Sequence, residues 1–405
     1  MPAPQDDDAL GEDLLAALRR AVRRRLQADP DVPIGALLSG GLDSSVVAGL
    51  LTKEGRRTLF TVRFPGGGDY DEIRVAARSA AALGAELHEV AATPQALWEA
   101  LPAAVAAGEG VAINLHVAAK YLLCRAVRAA GVPVLLTGEG ADELWAGYAH
   151  LRRDFLLAGG ETDEARLGDR AGTGVTAGVH LPPAGSDDPV LAPLRAALGV
   201  VPTFLQAKAA LGRRVHGLLR DDVAAALGGH DPGAALLRAV PLEHLRGRHP
   251  VDQAAHLWTT LALSGSILRT LGDAQEMAHG IEGRLPFLDE DVVALARQAP
   301  VAARLRGGIE KSLLRRAALA AGLVTPEVAA RPKHPFMAPP LQDAELAQDV
   351  LRAGPLPLFD GARVRALLDE LPRLPPGERA GADAALMLAL TTVLLGRRYG
   401  LGDGP

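Results

Sequence analysis

The sequence predicts an α/β fold: a parallel sheet with helices on both faces, followed by a large, mostly helical C-terminal part. Short apolar runs, IGALLS, TLFTVRF, ELHEV and VPVLLTG, each end in turn residues. They alternate with helical stretches such as DEIRVAARSAAALG and NLHVAAKYLLCRAVRAAG, the spacing of a parallel sheet with crossover helices. Beyond about Leu144 the strand signal fades into Ala/Leu/Arg-rich helix, broken by a Gly/Pro-rich stretch over 172–189.

Taken in order, residues 1–13 are polar and read as a flexible N-terminus. DLLAALRRAVRRRL then mixes apolar and basic residues at helical spacing, which makes Arg19, Arg20, Arg23, Arg24 and Arg25 a solvated face. The body, 14–405, divides at about residue 150 into an α/β half and a helical half. With 405 residues the chain can bury a large core. A net charge of −5 argues against nucleic acid as the main partner, because phosphate-backbone binding needs a basic face. No apolar run reaches membrane-spanning length and the acidic N-terminus is unlike a secretory signal, so no membrane partner is expected. The single cysteine, Cys124, excludes a disulfide and a cysteine metal cluster and reads as a core residue of a helix. A cytoplasmic enzyme is expected.

Two loops hold the first chemical signal. LLSGGLDSSVVAGLL places Ser39, Gly40, Gly41, Asp43, Ser44 and Ser45 between a strand and a helix. Glycines allow close backbone approach, and the helix start offers unpaired N–H groups, a combination suited to a phosphate. An ordinary capped βα turn is the competing reading. LLTGEGADELWAGY follows a later strand and carries Glu139, Asp142 and Glu143. In open α/β sheets ligands sit beyond the carboxyl ends of the strands, so both loops should open into one crevice. Asp43 and Asp142 could then share a Mg²⁺, which takes one or two carboxylates plus phosphate oxygens. GxxxxGK[ST], GxGxxG and HExxH are all missing.

Three further blocks follow: LGDAQEMAHGIEGRLPFLDEDVV with Asp273, Glu282, Arg284 and Asp289; GIEKSLLRRAAL with Lys311; and RPKHPF with Arg331 and Lys333. RLPFLD looks like a turn leading into a helix. In this order, from about residue 15 to 345, the blocks resemble the synthetase domain of the asparagine synthetases. SGGLDSS resembles the pyrophosphate-binding signature of the ATP pyrophosphatase (adenine nucleotide alpha hydrolase-like) group, which implies that fold, with residues 14–150 as the nucleotide-binding part.

The resemblance implies ATP and Mg²⁺ as cofactors and an activated-acyl mechanism. A substrate carboxylate attacks the α-phosphate of ATP, giving an acyl-adenylate and pyrophosphate; a nitrogen nucleophile then displaces AMP. Ser39, Gly40, Gly41, Ser44 and Ser45 would hold pyrophosphate, and Asp43 and Asp142 the metal. Lys311 matches the family lysine that stabilises charge at the reacting phosphate and carbonyl. Leu37, Val62, Thr137 and Gly138 fall where the family encloses adenosine. Arg331 and Lys333 are phosphate contacts, and Glu143 and Asp273 fall on the substrate side. Glu139 matches a family glutamate that can take a proton from an incoming amine. The related β-lactam-forming synthetases carry Tyr there, so Glu139 favours intermolecular amidation over ring closure.

The sequence departs from the family in two places. Position 2 is Pro and the one cysteine is mid-chain, so no glutaminase is expected; free ammonia, another amine, a separate glutaminase or a carrier protein must supply the second substrate. Where the family reads Asp-Arg-Met-Ser-Met-Ala, this chain has Asp273-Ala274-Gln275-Glu276-Met277-Ala278, which removes a bidentate carboxylate donor. The stretch GVAINLHV after Glu109 also lacks the family's Glu-Pro pairing. Nucleotide handling reads as intact and the acyl pocket as remodelled, so a carboxylic acid other than aspartate is expected. A tRNA-acting pyrophosphatase would want a basic surface and paired cysteines. A silent ATP-binding partner of a larger complex would be expected to lose Asp43, Glu139, Asp142 or Lys311.

Overall fold

The computed structural model describes residues 7–161, 175–176, 179–180, 188–240, 242–339, 349–352 and 354–400. Two compact units form, and neither is a continuous stretch as a break at residue 150 would make it. Unit one takes Met1–Thr93, Ala119–Tyr148 and Trp258–Phe336; unit two takes Pro94–Ala118, Ala149–Leu257 and Met337–Pro405. The Gly/Pro-rich 172–189 stretch falls largely outside the described residues; within it Val175–Thr176 pairs antiparallel with Val179–His180.

Unit one is built on a five-stranded parallel sheet: β1 (Ile34–Leu37), β2 (Thr58–Arg63), β3 (Glu86–Ala91), β4 (Val134–Leu136) and β5 (Glu282–Arg284), in the order β3-β2-β1-β4-β5. The first four lie in the four apolar runs. The fifth was not expected. Glu282-Gly283-Arg284 has no strand propensity. It becomes a strand because Val134, Leu135 and Leu136 offer their backbone to it in register. Strand order reverses between β1 and β4, which makes the carboxyl ends of these two strands the switch point where open α/β sheets take their ligands.

The first helix, α1 (Asp7–Arg24), starts six residues before Asp13, inside the stretch expected to be flexible. Leu10, Leu14, Leu18, Ala21 and Val22 form one buried stripe, which outweighs the polar composition of the start. Gly11 lets α1 approach the Ser312–Ala320 helix, since a Cβ there would lie 3.2 Å from that of Ala317. On the other face Arg24 and Arg25 donate to Asp289 at 2.8 and 2.7 Å. Asp289 itself caps the Glu290–Gln298 helix, the expected outcome of RLPFLD. Two further helices, α2 (Leu42–Lys53) and α3 (Ile73–Ala82), follow β1 and β2. Every residue of α2 from Leu42 to Thr52 is buried.

Unit two is helical. Its 24-residue Pro376–Tyr399 helix packs on Pro94–Gly108 and Thr203–His216. Among the described residues this helix alone is long and apolar enough to cross a membrane, a length the sequence reading did not find. Its uninterrupted apolar stretch covers only 384–390 before Thr391 and Thr392, and half of the apolar window is buried inside the fold. Thr391 Oγ1 accepts the Ala112 N–H at 3.1 Å within that interior.

Candidate active site

The loop after β1 is knitted together by its own hydroxyls. Gly40 takes φ +84°, a left-handed conformation that a side chain disfavours, and a Cβ there would meet Val75 Cβ at 3.1 Å. Ser44 Oγ accepts the Ser39 N–H at 3.1 Å, donates to Gly41 O and lies 3.1 Å from Ser39 Oγ. Ser39 Oγ in turn accepts the Gly41 N–H. Two of the hydroxyls expected on pyrophosphate therefore hold the loop in shape, while Ser45 Oγ is buried with no hydrogen-bond partner. Gly41 is the N-cap of α2 and brings no side chain to its first N–H groups, which are left for an anion.

The loop after β4 meets the first directly. A Cβ on Gly138 would lie 3.0 Å from Asp43 Cβ and from Ser44 N, so only glycine permits this contact. The two loops thus lie together at the carboxyl ends of β1 and β4. Thr137 hangs from β5 through its N–H to Arg284 O, and its hydroxyl is buried without a partner. Leu37 and Val62, half-buried near the carboxyl ends of β1 and β2, flank this region on the sheet.

Four charged groups converge at the crevice. Lys311, 1 % exposed and itself at φ +52°, places Nζ 2.5 Å from both Asp43 Oδ2 and Asp142 Oδ1. Lys333 Nζ lies 2.7 Å from Asp142 Oδ2. Gly147 makes room for them: a Cβ there would sit 1.9 Å from Asp142 Oδ1 and 2.1 Å from Lys311 Cε. Burial would push Asp142 up, but Lys311 and Lys333 beside it hold it well below the usual carboxylate range. Asp43 is raised by burial, against the pull of Lys311. Two carboxylates suit Mg²⁺, which takes the rest of its shell from phosphate and water. Asp43 Oδ1 is buried with no hydrogen-bond partner, an oxygen left over for such a cation.

RPKHPF is held by a clamp from the preceding block. Arg315 grips Glu310 and donates to Ala329 O and Arg331 O, and Glu310 Oε1 accepts the Lys333 N–H at 2.7 Å. Lys333 thereby reaches the crevice, whereas the Arg331 guanidinium pairs with Glu72.

On the acyl side the expected residues separate. Glu143 is buried, and its Oε1 accepts from Tyr148 Oη at 2.7 Å and Trp258 Nε1 at 3.2 Å. Burial and the neighbouring Asp142 push its carboxyl up to about 7. Asp273 is exposed at the end of the Thr259–Asp273 π-helix, and no described group of the crevice meets it. Three residues on, Glu276 is the buried carboxylate of that stretch. Its Oε1 lies 2.7 Å from Nζ of Lys120, whose Nζ is also 4.0 Å from Glu139 Oε1. Lys120 and Glu276 escaped the sequence reading. The available signal was a lysine on the apolar face of its helix, one turn before the buried Cys124.

The asparagine synthase family model matches residues 13–394. The chain is 29% identical over 373 residues to the amidase chry2 of Gibberella zeae, covering 83% of this chain and 53% of that one. It is 30% identical over 317 residues to the amidase chyE of Penicillium rubens, covering 71% and 46%. Against the asparagine synthetase [glutamine-hydrolyzing] 1 of Bacillus subtilis it is 28% identical over 362 residues, covering 84% and 51%. The chain thus spans about half the length of the curated relatives it matches. With the sheet order, the two glycine loops and the matched span taken together, this chain belongs to the asparagine synthase family.

Proposed function

We propose that the chain is an ATP-dependent, AMP-forming ligase that joins a carboxylic acid to ammonia or another amine. The observation that carries the proposal is the cluster Asp43–Lys311–Asp142–Lys333 where two glycine loops touch beyond the carboxyl ends of β1 and β4. The α2 N-terminus and the two ammonium groups suit the triphosphate, and Leu37, Val62, Thr137 and Gly138 the adenosine side. Mg²⁺ held by Asp43 and Asp142 would neutralise charge on the departing pyrophosphate. Lys311 sits where charge grows at the reacting phosphate.

The second half-reaction falls to Glu139. Its Oε1 faces Lys120 and its Oε2 is buried without a hydrogen-bond partner, which supports a role in taking the proton of an attacking amine. The acid is a specialised one rather than aspartate, since Ala274 stands where the family has its arginine. These 405 residues offer one thiol, and Cys124 is fully buried with its pKa pushed up to about 11, chiefly by that burial. A cysteine-based glutaminase would have to lie outside these residues, and a carrier protein could present the acid. One buried, reduced cysteine and an acidic balance suit the cytoplasm.

ATP–pyrophosphate exchange across a panel of carboxylic acids tests the proposal without knowledge of the amine. Exchange with at least one acid, and amide formation on adding an ammonium salt or primary amine, is the expected result. Glu139→Gln should leave exchange near the parent rate and slow amide formation by ~10²–10⁴-fold. A parent that exchanges no acid sinks the ligase reading; equal losses in both steps sink the base assignment alone.

A further inference from the structure

The pair Lys120–Glu276 is unexplained by phosphate chemistry and costly to bury. Lys120 and Glu276 are each 3 % exposed. Replacing such a pair by apolar side chains is often neutral or stabilising, so fold stability is a weak reason for its presence. Three sequence features cooperate to place it. Lys120 rises from the buried face of the His116–Ala129 helix, and Glu276 comes from the Ala274–Met277 turn. Gly283 on β5 clears the space: a Cβ there would lie 1.8 Å from Glu276 Oε2. Gly283 is paired with Leu135, four residues before Glu139, so the cluster lies beside the strand end that launches the Glu139 loop. Glu276 also stands where the family pattern carries serine.

We propose that Lys120, anchored by Glu276, is a positioning residue that fixes the Glu139 carboxylate with Oε1 toward its ammonium group and Oε2 free for the amine. The inference rests on the ligase reading for its chemistry and on these contacts for its geometry. Glu276 holds Lys120 at 2.7 Å, too tightly for it to collapse onto Glu139, which it meets at 4.0 Å. Burial alone would push Lys120 down, but Glu276 and then Glu139 raise it, so the cation persists. Cys124, one helical turn away, is the other titratable group facing the three charges.

The test separates the half-reactions. In Lys120→Met/Glu276→Leu both charges leave together, so neither partner of the pair is stranded. With an acid that supports exchange and an ammonium salt as nucleophile, exchange should stay within about twofold while amide formation falls about tenfold or more. Lys120→Arg, which keeps the charge, should recover part of that loss. An unchanged amide step, or parallel losses in both steps, overturns the proposal. If the double variant does not fold, Glu276→Gln carries the same comparison and the same two outcomes. If no acid supports exchange, the geometry is read directly. The ¹³Cδ resonance of Glu139, assigned by its loss in Glu139→Gln, should move in whichever of these charge-removing variants folds. A resonance that stays put refutes the positioning role independently of the ligase reading.

Discussion

At the crevice between the β1 and β4 loops, Lys311 and Lys333 face Asp43 and Asp142, two cations against two carboxylates. Around Glu139, one cation, Lys120, faces two carboxylates. The first cluster is balanced before any ligand arrives, and its groups come from loops and helix starts that glycines bring together. The second keeps a net negative charge, and its lysine comes from the middle of a helix. The contrast separates a part of the site dictated by backbone approach to phosphates from a part tuned by side chains to one substrate. It also says where substitutions should hurt both half-reactions and where only one.

Breaking the balanced cluster should have the largest effect. Lys311→Met leaves Asp43 and Asp142 buried with only Lys333 nearby, the kind of uncompensated charge that typically costs ~3–5 kcal/mol. Urea unfolding should show a loss of that order, and exchange should vanish even in the folded fraction. Asp142→Asn and Asp43→Asn should also abolish exchange, because each removes a charge expected to hold the Mg²⁺ on the triphosphate. Folded variants that exchange near the parent rate would remove the phosphate role from this cluster and with it half of the contrast.

The same contrast explains what the sequence made legible. Ser39-Gly40-Gly41 and Thr137-Gly138 could be read because close backbone approach demands glycine at fixed spacing, and that demand is visible in one dimension. Four strands were legible for a similar reason, since apolar runs with turn residues mark a buried parallel sheet. β5 was not, because Glu282-Gly283-Arg284 owes its strand to β4 rather than to its own residues. Lys120 and Glu276 lie 156 positions apart and carry no local signature. The family resemblance points to Asp273, whereas burial selects Glu276, three residues later. The start of α1 at Asp7 shows the converse error, in which polar composition concealed a buried stripe.

Glu143 sharpens the comparison from the edge of the balanced cluster, where it shares the burial but lacks a cation of its own. Its folded pKa of about 7 lies above the ordinary 4.5. A carboxyl raised in this way contributes its stabilisation below about pH 4.5 and loses it as pH climbs through about 7. The full swing for this one group is about 3 kcal/mol. In magnesium-free buffer Glu143→Gln should therefore gain on the parent between pH 5 and 8, since glutamine can still accept from Tyr148 and Trp258. Comparing urea midpoints at the two pH values measures this. A parent–variant difference that does not change with pH would mean that Glu143 stays ionised, and that the two ammonium groups serve three carboxylates.

The smallest effect should come from Cys124, which lies on the Lys120 helix beside the unbalanced cluster. Its thiol is fully buried and its pKa is raised to about 11 by that burial, with Glu276 and Glu139 opposing the help of Lys120. At pH 8 only about one thiol in a thousand would be ionised, against roughly one in four for a free cysteine. Alkylation by iodoacetamide in the native state should be slower than in urea by at least that ratio, about two hundredfold. Cys124→Ala should leave exchange and amide formation within about threefold of the parent. Glutamine added to the purified chain should give no amide, with or without the cysteine. Turnover that needed both glutamine and Cys124 would give the buried thiol a chemical role, and the cluster beside it would then belong to a nitrogen-releasing step instead of to the positioning of Glu139.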